Sequence, residues 1–349
     1  MGFDFILNNG GRRSAVDVTL PIPLSYSSNA DNELQEEINL GLEIPEMQWK
    51  AIPIDDTGSW RPSEWEYSPV RFVDGKDVGQ TVAWVYSPDG YPIPIRLSQV
   101  GSVVMNLDNG EIRRDYSTVD RVVSMAVDPF SWEDIEGFAK SLQSNGIRLL
   151  PAYLQDPNAA FEFERLRQAA QNRTREEMGV LEEAAIAQNH NIPTIIDGRL
   201  DNRSGGFDRT YSPVFGVIKT HYRNYLHRAG MQVLYQLRAG ERTPFFRLTP
   251  FQRQPVVTWY LRLSDALGTT PTWGFVRVEV SQDWFNTHQQ DEIFVNRLSR
   301  AIYEYRCKES SYRRAPVSIH PIVRAEESLG SQYQPESRNI ADFYRQTGL

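Results

Sequence analysis

The chain has 349 residues, of which 40% are hydrophobic, and a formal net charge of −8 at neutral pH. This length and composition allow a substantial core, as one large domain or a domain with appendages. No apolar run approaches the roughly 18 residues that span a bilayer, and the polar start Met1-Gly2-Phe3-Asp4 is unlike a signal peptide. We therefore expect a cytoplasmic protein. The single cysteine, Cys307, excludes an intramolecular disulfide and a cysteine-cluster zinc site, so oxygen or histidine would have to hold any metal.

The negative charge argues against a broad basic surface that coats nucleic acid. Acidic residues crowd the stretch from Asp31 to Glu66, whereas basic residues cluster further on: Arg165, Arg167, Arg173 and Arg175, and then Arg297, Arg300, Arg306, Lys308, Arg313 and Arg314. A local cationic track stays open, beside the simpler interpretation that these arginines solvate helix faces and pair with nearby glutamates.

Residues 1–65 are rich in Pro, Asn, Ser and acids, which predicts an irregular N-terminal arm with one helical stretch around Glu33 to Leu42. From Pro69 the pattern changes to short apolar runs typical of strands, at Val70 to Val73, Thr81 to Tyr86 and Ile93 to Met105. The turn residues Ser87-Pro88-Asp89-Gly90 separate the last two runs, so we expect an antiparallel meander.

Helical patterns follow the meander, near Ser131 to Asn145 and over a long stretch from about Asn158 to Asn189. Asn191-Ile192-Pro193 ends the long stretch. Thr194-Ile195-Ile196 is then an apolar β-branched run that ends at Asp197-Gly198, as a buried strand would. The outline continues with a helix around Thr220 to Ala229, strands near Val256 to Leu263 and Gly274 to Val280, and a helix from His288 to Tyr305.

Two Asp-Gly pairs at predicted strand ends carry the candidate chemistry. Asp74 follows the first strand and Asp197 the strand after the long helix. This order predicts a ribonuclease-H-like fold, which is an α/β fold with a mixed β-sheet flanked by helices. In such a fold the meander, the helix and the further strand each bring a carboxylate to one point. Such carboxylates bind two hard cations about 4 Å apart, which stabilise the attacking and leaving oxygens of a phosphodiester. The glycine after each Asp lets the chain turn away and leaves room for a phosphate.

The third carboxylate should come from the long helix, where the candidates are Glu176, Glu177, Glu182 and Glu183. Stepping 100° per residue, Glu177 falls within the apolar arc, one turn before Leu181. A carboxylate there is costly unless it is paired or binds a metal, so Glu177 is the predicted ligand and Glu182 the alternative.

From about residue 65 to about residue 330 the sequence resembles the NurA nuclease family. The blocks that carry the resemblance, in order, are Val73-Asp74-Gly75, the Arg/Glu-rich helix, Ile195 to Leu200, Gly216 to Lys219, Trp259 to Leu263 and Val276 to Glu279. The resemblance implies a ribonuclease-H-like nuclease domain over 66–330, with C-terminal helical additions and a tail at 331–349. It also implies a homodimer, Mn²⁺- or Mg²⁺-dependent DNA cleavage including 5′-to-3′ exonuclease activity, and a HerA-type hexameric ATPase as partner.

Residue by residue, Asp74, Glu177 and Asp197 match the family's metal-binding acids, and Lys219 matches its lysine after the second Asp. The family usually carries a histidine after an alanine near its C-terminal end, but here Ala325 is followed by Glu326. Either Glu326 is a fourth metal ligand, or His320 serves from a shifted position, or this contribution is lacking. His221, close to Lys219, is expected to be structural.

The predicted function is thus a metal-dependent exonuclease, and possibly endonuclease, that acts in DNA end processing or anti-phage defence. The alternative is a catalytically weak or inactive subunit that clamps the ATPase ring and guides DNA, which the missing histidine favours. A carboxylate-pair glycosidase is a third option, since the chain has eight Trp. It explains neither Lys219 nor the order of strands and helix.

Overall fold

A mixed β-sheet with helices on both of its faces is the framework of the protein. The computed structural model describes residues 4–14, 37–54, 64–154, 162–200, 207–221, 224–249, 253–265, 273–308 and 315–349, and within these ranges 13 strands join one sheet. In chain order they are β1 (Arg12–Arg13), β2 (Glu37–Asn39), β3 (Ile52–Pro53), β4 (Arg71–Tyr86), β5 (Pro92–Asp108), β6 (Glu111–Ala126), β7 (Arg148–Ala152), β8 (Thr194–Asp197), β9 (Val214–Ile218), β10 (Glu241–Arg242), β11 (Phe246–Thr249), β12 (Val256–Arg262) and β13 (Phe275–Ser281).

From one edge to the other the strands lie in the order β2, β11, β12, β13, β9, β8, β4, β5, β6, β7. Strand β1 pairs with β4, and β10 pairs with both β12 and β3. The α-helices are α1 (Asp4–Asn8), α2 (Trp132–Gln143), α3 (Phe163–Ala187), α4 (Arg228–Gln236), α5 (Gln282–Thr287), α6 (Glu292–Glu304), α7 (His320–Gly330) and α8 (Glu336–Thr347). Among the described residues, no helix combines the length and apolar composition needed to cross a bilayer.

Helices α3 and α7 cover opposite faces of the sheet. Neighbouring residues of a strand point to opposite faces. In β4, Phe72 packs in one core cluster with Ile322 and Leu329 of α7, whereas Val73 packs in another with Ile186 of α3. Side chains from both helices can therefore meet wherever the sheet between them is open.

Strands β4, β5 and β6 form an antiparallel meander that differs from the predicted one, because β4 contains the first two predicted strands, β5 contains the third, and β6 was not predicted. The predicted turn at Ser87 to Gly90 is present, since the Gly90 N–H donates to the Ser87 carbonyl at 2.8 Å. The two segments predicted on either side of residues 74–80 are one strand, β4, because the polar residues between them pair with β5. The pair Asp74-Gly75 therefore lies inside a strand, and the prediction that it ends one is wrong.

The predicted helices near 131–145 and 158–189 are present as α2 and α3. The N-cap of α2 is Ser131, whose hydroxyl accepts from the Asp134 N–H at 3.2 Å. The predicted strands near 194–196, 256–263 and 274–280 are also present, as β8, β12 and β13. Strand β6 was missed because most of its residues up to Arg121 are exposed or half-buried, and such a strand lacks the apolar alternation that identifies one.

Three other helix predictions are wrong in part. Of the predicted stretch 33–42, residues 33–36 lie outside the described ones, and Glu37–Asn39 is a strand paired with β11. The helix predicted at 220–229 begins only at Arg228. The predicted helix 288–305 starts later, at Glu292 after the N-cap Asp291, because Gln289 has a positive φ of 49° that ends α5.

The terminal segments pack on the sheet. In α1, Phe5 and Ile6 are buried, and they share a core cluster with Phe343 of α8, within the stretch 331–349 that was predicted as a tail. Residues 1–3 and 15–36 of the predicted arm are outside the described residues. The division of the chain into arm, nuclease domain and tail stays a prediction.

Candidate functional site

The sheet has an opening beside the middle of β4. Strand β8 runs parallel to β4, with Ile196 opposite Val73, and ends at the next residue, Asp197. The same register makes Asp74 the neighbour of Asp197 on β4. Beyond Asp74, residues 75–80 pair with β5 on one side, and no strand of the described part of the chain pairs with them on the other. We call this opening, alongside residues 75–80, the β4 notch.

The chain leaves the sheet directly after Asp197. Gly198 has a φ of 128°, which residues with a side chain rarely adopt. The prediction that Asp197-Gly198 ends a buried strand is confirmed. Asp74 and Asp197 have the same side-chain direction as Phe72 and Ile195, which share the core cluster of α7. Both carboxylates therefore lie at the start of the β4 notch on the α7 face.

Lys219, the first residue after β9, joins carboxylates from two elements. Its Nζ lies 2.9 Å from Oδ2 of Asp197 and 3.3 Å from Oε1 of Glu326 in α7. The lysine side chain is only 7% exposed, while those of Asp197 and Glu326 are 21% and 26% exposed. Burial alone would lower the pKa of Lys219, but the charges of Asp197 and Glu326 outweigh burial, so its pKa is raised and it stays an ammonium.

Asp74 lies in a strongly acidic environment. Its pKa is raised well above the usual range of a carboxyl group, first because the side chain is buried and then because Asp197 is negatively charged. Glu182 and Glu326 raise this pKa further, and Lys219 lowers it. Three of the four charged neighbours that shift the pKa of Asp74 are thus carboxylates. A group that is this costly to ionise is typical of sites that bind a cation or a proton.

The helix residue that acts on Asp74 is Glu182. It lies against Gly75 from the α3 face: a Cβ on Gly75 would be 2.6 Å from Oε1 of Glu182 and 2.8 Å from Cγ of Met178. The missing side chain of Gly75 therefore admits Glu182, which is buried, to the edge of the β4 notch. The glycine serves this close approach and not the turn that the sequence predicted.

Glu177, the predicted helix ligand, pairs with two arginines. Its Oε1 lies 2.7 Å from Nη2 of Arg148 and its Oε2 lies 3.0 Å from Nη2 of Arg173. Arg148 also binds Asp120 of β6 at 2.8 Å. The expectation that a carboxylate on this apolar arc needs a partner holds, but the partners are Arg173 of the same helix and Arg148, which attaches α3 to β6 and β7. This placement does not support Glu177 over Glu182 as the helix ligand.

The two C-terminal candidates for a metal ligand, Glu326 and His320, lie in different surroundings. Glu326 contacts Lys219, as described above, whereas His320 is the first residue of α7 and its N–H donates to the Tyr305 carbonyl. Of these two alternatives, the structure brings Glu326 to the cluster. The Nε2 atom of His221 lies 3.3 Å from the carbonyl oxygen of Phe275. Burial lowers the pKa of His221, as expected of a structural histidine.

Glu279, which the sequence analysis did not select, holds the turn after Asp197. Its Oε2 accepts a hydrogen bond from the Leu200 N–H at 2.7 Å, and its Oε1 lies 2.8 Å from Nη2 of Arg277. Glu279 is fully buried and Arg277 is 3% exposed. The signal in the sequence is a pair of opposite charges two residues apart in the otherwise apolar strand β13.

On the α3 face a cleft of about 610 Å³ borders the β4 notch. Its lining includes four carboxylates and two arginines, namely Asp77, Glu176, Glu182, Glu183, Arg96 and Arg175. One arginine is already neutralised, since Arg96 pairs with Asp77 at 3.2 Å. The cleft is therefore acidic, and it gives solvent a route to the side of the cluster where Glu182 lies.

The donor set suits a hard divalent cation in type and charge. Asp74, Asp197, Glu182 and Glu326 offer only oxygen, the ligand that Mg²⁺ and Mn²⁺ prefer. Burial first, and then the charges of the other three carboxylates, raise the pKa of Asp74. The positions are not yet those of a formed metal site. Among the described residues, no group of three or more His, Cys, Asp or Glu is close enough to hold an ion. Lys219, between Asp197 and Glu326, takes the place of a counter-ion.

Fold and site together define a mixed α/β protein with an acidic cluster where β4 and β8 part. Neither a scan against models of protein families nor a search of curated proteins finds a match. Among solved structures, a crystal structure of the NurA nuclease from Sulfolobus solfataricus is similar, with 12% sequence identity over 85% of this chain and 86% of that chain, and a TM-score of 0.38. A likeness of this size leaves the family of the chain open.

Proposed function

We propose that the protein is a metal-dependent DNA nuclease whose centre is the acidic cluster at the β4 notch. The observation that carries the proposal is Asp74, a buried carboxyl group on β4 whose pKa is raised by burial and by three carboxylates, Asp197 of β8, Glu182 of α3 and Glu326 of α7. Clusters of this kind bind divalent cations, and phosphodiester hydrolysis is the chemistry for which several converging carboxylates are needed.

The strand order supports a ribonuclease-H-like fold as the basis of this site. After the meander of β4, β5 and β6, the chain passes through α2 and β7, which pairs in parallel with β6, and then through α3. It returns as β8, which pairs in parallel with β4 on the side away from β5. Strand β9 then extends the sheet in parallel with β8. In this order β4, α3 and β8 supply Asp74, Glu182 and Asp197, with Glu182 in place of Glu177, which the sequence predicted as the helix ligand.

The side chains have distinct roles in the proposed reaction. Asp74, Asp197, Glu182 and Glu326 would hold the cations, and bound Mn²⁺ or Mg²⁺, two ions in our proposal, would activate water and stabilise the leaving oxygen. Asp74 holds a proton more readily than an ordinary carboxyl group and would release it when a cation neutralises its neighbours. Lys219 is placed to contact a phosphate oxygen once it leaves Asp197. None of these groups reads bases, so cleavage should be independent of sequence.

The test is cleavage of end-labelled linear DNA and of closed circular DNA in Mn²⁺, in Mg²⁺ and in EDTA. We expect metal-dependent cleavage that Asp74→Asn and Asp197→Asn reduce at least about a hundredfold, as loss of a main electrostatic group does. Release of labelled ends from linear DNA alone identifies an exonuclease, and nicking of the circle identifies an endonuclease. Parent-like cleavage by both Asn variants would exclude this site.

Glu182→Gln and Glu177→Gln form a matched pair for the helix ligand. Both replace one buried carboxylate of α3 by an amide of the same size. We expect Glu182→Gln to lose cleavage, because Glu182 acts on Asp74. Glu177→Gln should lose stability and retain cleavage, because its partners are Arg148 and Arg173. The reverse result would return the role to Glu177.

A second candidate, a subunit that guides DNA without cleaving it, is favoured by the ion pairs of Lys219. The ammonium of Lys219 neutralises part of the negative charge of Asp197 and Glu326, as a metal would. Metal-induced stabilisation separates the two candidates. A metal site predicts a thermal midpoint that rises with Mn²⁺ in the parent but not in Asp197→Asn, whereas a guiding subunit predicts no rise in either.

The resemblance of ordered sequence blocks to those of NurA nucleases supports a proposal on partner and assembly state. We propose a homodimer that acts in the cytoplasm on DNA ends with a HerA-type hexameric ATPase. Repair of breaks and defence against invading DNA would use the same chemistry. Size-exclusion chromatography with light scattering, on the purified protein alone and mixed with the ATPase, tests the dimer and the complex. A mass of one chain contradicts the dimer, and elution of the two proteins in separate peaks contradicts the complex.

A further inference from the structure

Lys76 lies beside the acidic cluster but outside it. It is two residues after Asp74 on β4, so its side chain leaves the same face of the sheet, about 7 Å further along the strand. Its own strand partner on β5 is Gly101, which presents no side chain. On the other side is the β4 notch. Lys76 is partly exposed, so its side chain is accessible to solvent.

The backbone of Lys76 is fixed while its ammonium is not used by the fold. The carbonyl of Lys76 accepts a hydrogen bond from the hydroxyl of Tyr333 at 2.5 Å, in addition to the strand pairing with β5. No carboxylate of the described residues lies within ion-pairing distance of its Nζ. In this respect Lys76 differs from Lys219, which is held by Asp197 and Glu326.

A structural role as the cap of α7 does not account for Lys76 either. Its Nζ points to the C-terminal end of α7, 3.5 Å from the position of a Cβ on Gly330. The last four carbonyls of that helix already accept hydrogen bonds, from the N–H groups of residues 331–333 and from the side chains of Ser331 and Gln332. The negative end of the helix favours a cation there, but no carbonyl depends on it.

The two faces of the β4 notch differ in charge. The α3 face opens into the cleft that four carboxylates line, which repels a phosphate backbone. On the α7 face, Lys219 lies at the cluster and Lys76 follows one step along β4. Among the described residues, the α7 face therefore offers a nucleic-acid strand a lysine that no carboxylate pairs, with Lys76 about one nucleotide beyond the cluster.

We propose that Lys76 binds the substrate phosphate next to the one that is cleaved at the β4 notch. The ligand is a phosphodiester of a DNA strand. This inference rests on the proposed nuclease function and adds a contact that binds substrate without taking part in the bond-breaking step.

The test is DNA affinity as a function of salt concentration, measured by fluorescence anisotropy in the inactive Asp197→Asn background. Lys76→Gln should bind DNA several-fold more weakly, and the slope of log affinity against log salt should fall by about one, the value for one lost phosphate contact. Lys76→Arg should restore the slope. Lys140→Gln is the matched control, because Lys140 is 71% exposed and pairs only with Glu136 of its own helix among the described residues.

Lys76→Met is a second variant without the charge, and equal thermal midpoints would show that both variants are folded. An unchanged slope in Lys76→Gln and Lys76→Met, in a protein whose parent cleaves DNA through Asp197, overturns the role of Lys76 and leaves the nuclease proposal intact. A parent that neither binds nor cleaves DNA overturns both. A salt slope that falls equally in Lys140→Gln also contradicts the proposal, because the fall would then come from the change in net charge and not from a phosphate contact of Lys76.

Discussion

Replacing Lys219 with methionine should destabilise the metal-free protein strongly. The change removes the ammonium that lies 2.9 Å from Asp197 and 3.3 Å from Glu326 and keeps most of the side-chain volume. Removing one partner of a fully buried ion pair costs about 3–5 kcal/mol, and an exposed pair contributes at most about 1 kcal/mol. Because the two acids are partly exposed while Lys219 is buried, we expect a loss of about 2–3 kcal/mol, between these limits.

The pH dependence of this effect has a defined sign. The folded-state pKa of Lys219 is raised above its unfolded value, despite burial, by Asp197 and Glu326. Its contribution to the free energy of unfolding is therefore complete below the unfolded pKa of about 10.4 and is lost only as the pH rises through the higher folded value. The difference between parent and Lys219→Met should be full at neutral pH.

Urea denaturation in EDTA at neutral pH measures this loss, with Lys140→Met as the control for removal of an exposed lysine. Added Mn²⁺ should stabilise Lys219→Met more than the parent, because a cation at the cluster replaces the missing charge. A variant as stable in EDTA as the control would refute the view that Lys219 is the counter-ion of the acidic cluster.

Three further changes test the geometry around the β4 notch. Asp74→Asn should raise the thermal midpoint in EDTA at neutral pH. The pKa of Asp74 is higher in the folded than in the unfolded protein, so the stabilisation from its protonated carboxyl group is complete below the unfolded pKa and is lost as the pH rises through the folded pKa. If the pH profile of stability were the same in the parent and the variant, this account of Asp74 would be wrong. Gly75→Ala should cost about 1–3 kcal/mol in urea denaturation, since its Cβ would lie 2.6 Å from Glu182, and a neutral effect would show that α3 is not so close. Glu279→Ala should cost about 3–5 kcal/mol by leaving Arg277 buried and unpaired, and the double variant with Arg277→Met should recover part of that loss.

The sequence predicted the residues that meet at the site better than the strands that carry them. Asp74, Asp197, Lys219 and Glu326 are separated by up to 252 positions (326 − 74), yet the structure places them in one cluster. Asp74 and Asp197 could be selected because each follows an apolar run typical of a strand, whereas Lys219 and Glu326 were selected from the resemblance to the NurA family. The length of β4 could not be predicted, because its polar middle is a strand only by pairing with β5.

The choice between Glu177 and Glu182 shows where sequence reasoning stops. Helical phase indicates which residues of α3 face the sheet, and both glutamates are buried. Phase does not say what each one meets there. Arg148 of β7 forms an ion pair with Glu177, and Glu182 lies against Gly75, which has no side chain to block it. Both contacts join segments distant in the chain, so the sequence of the helix alone does not contain them.

A divalent-metal site at the β4 notch is the centre of the proposed chemistry. The most direct test is a titration of the protein with Mn²⁺, in which electron paramagnetic resonance measures the free ion. The parent and Glu177→Gln should bind Mn²⁺ alike, while Asp197→Asn and Glu182→Gln should bind it much more weakly. Equal binding by all four proteins, or none by the parent, would contradict the site.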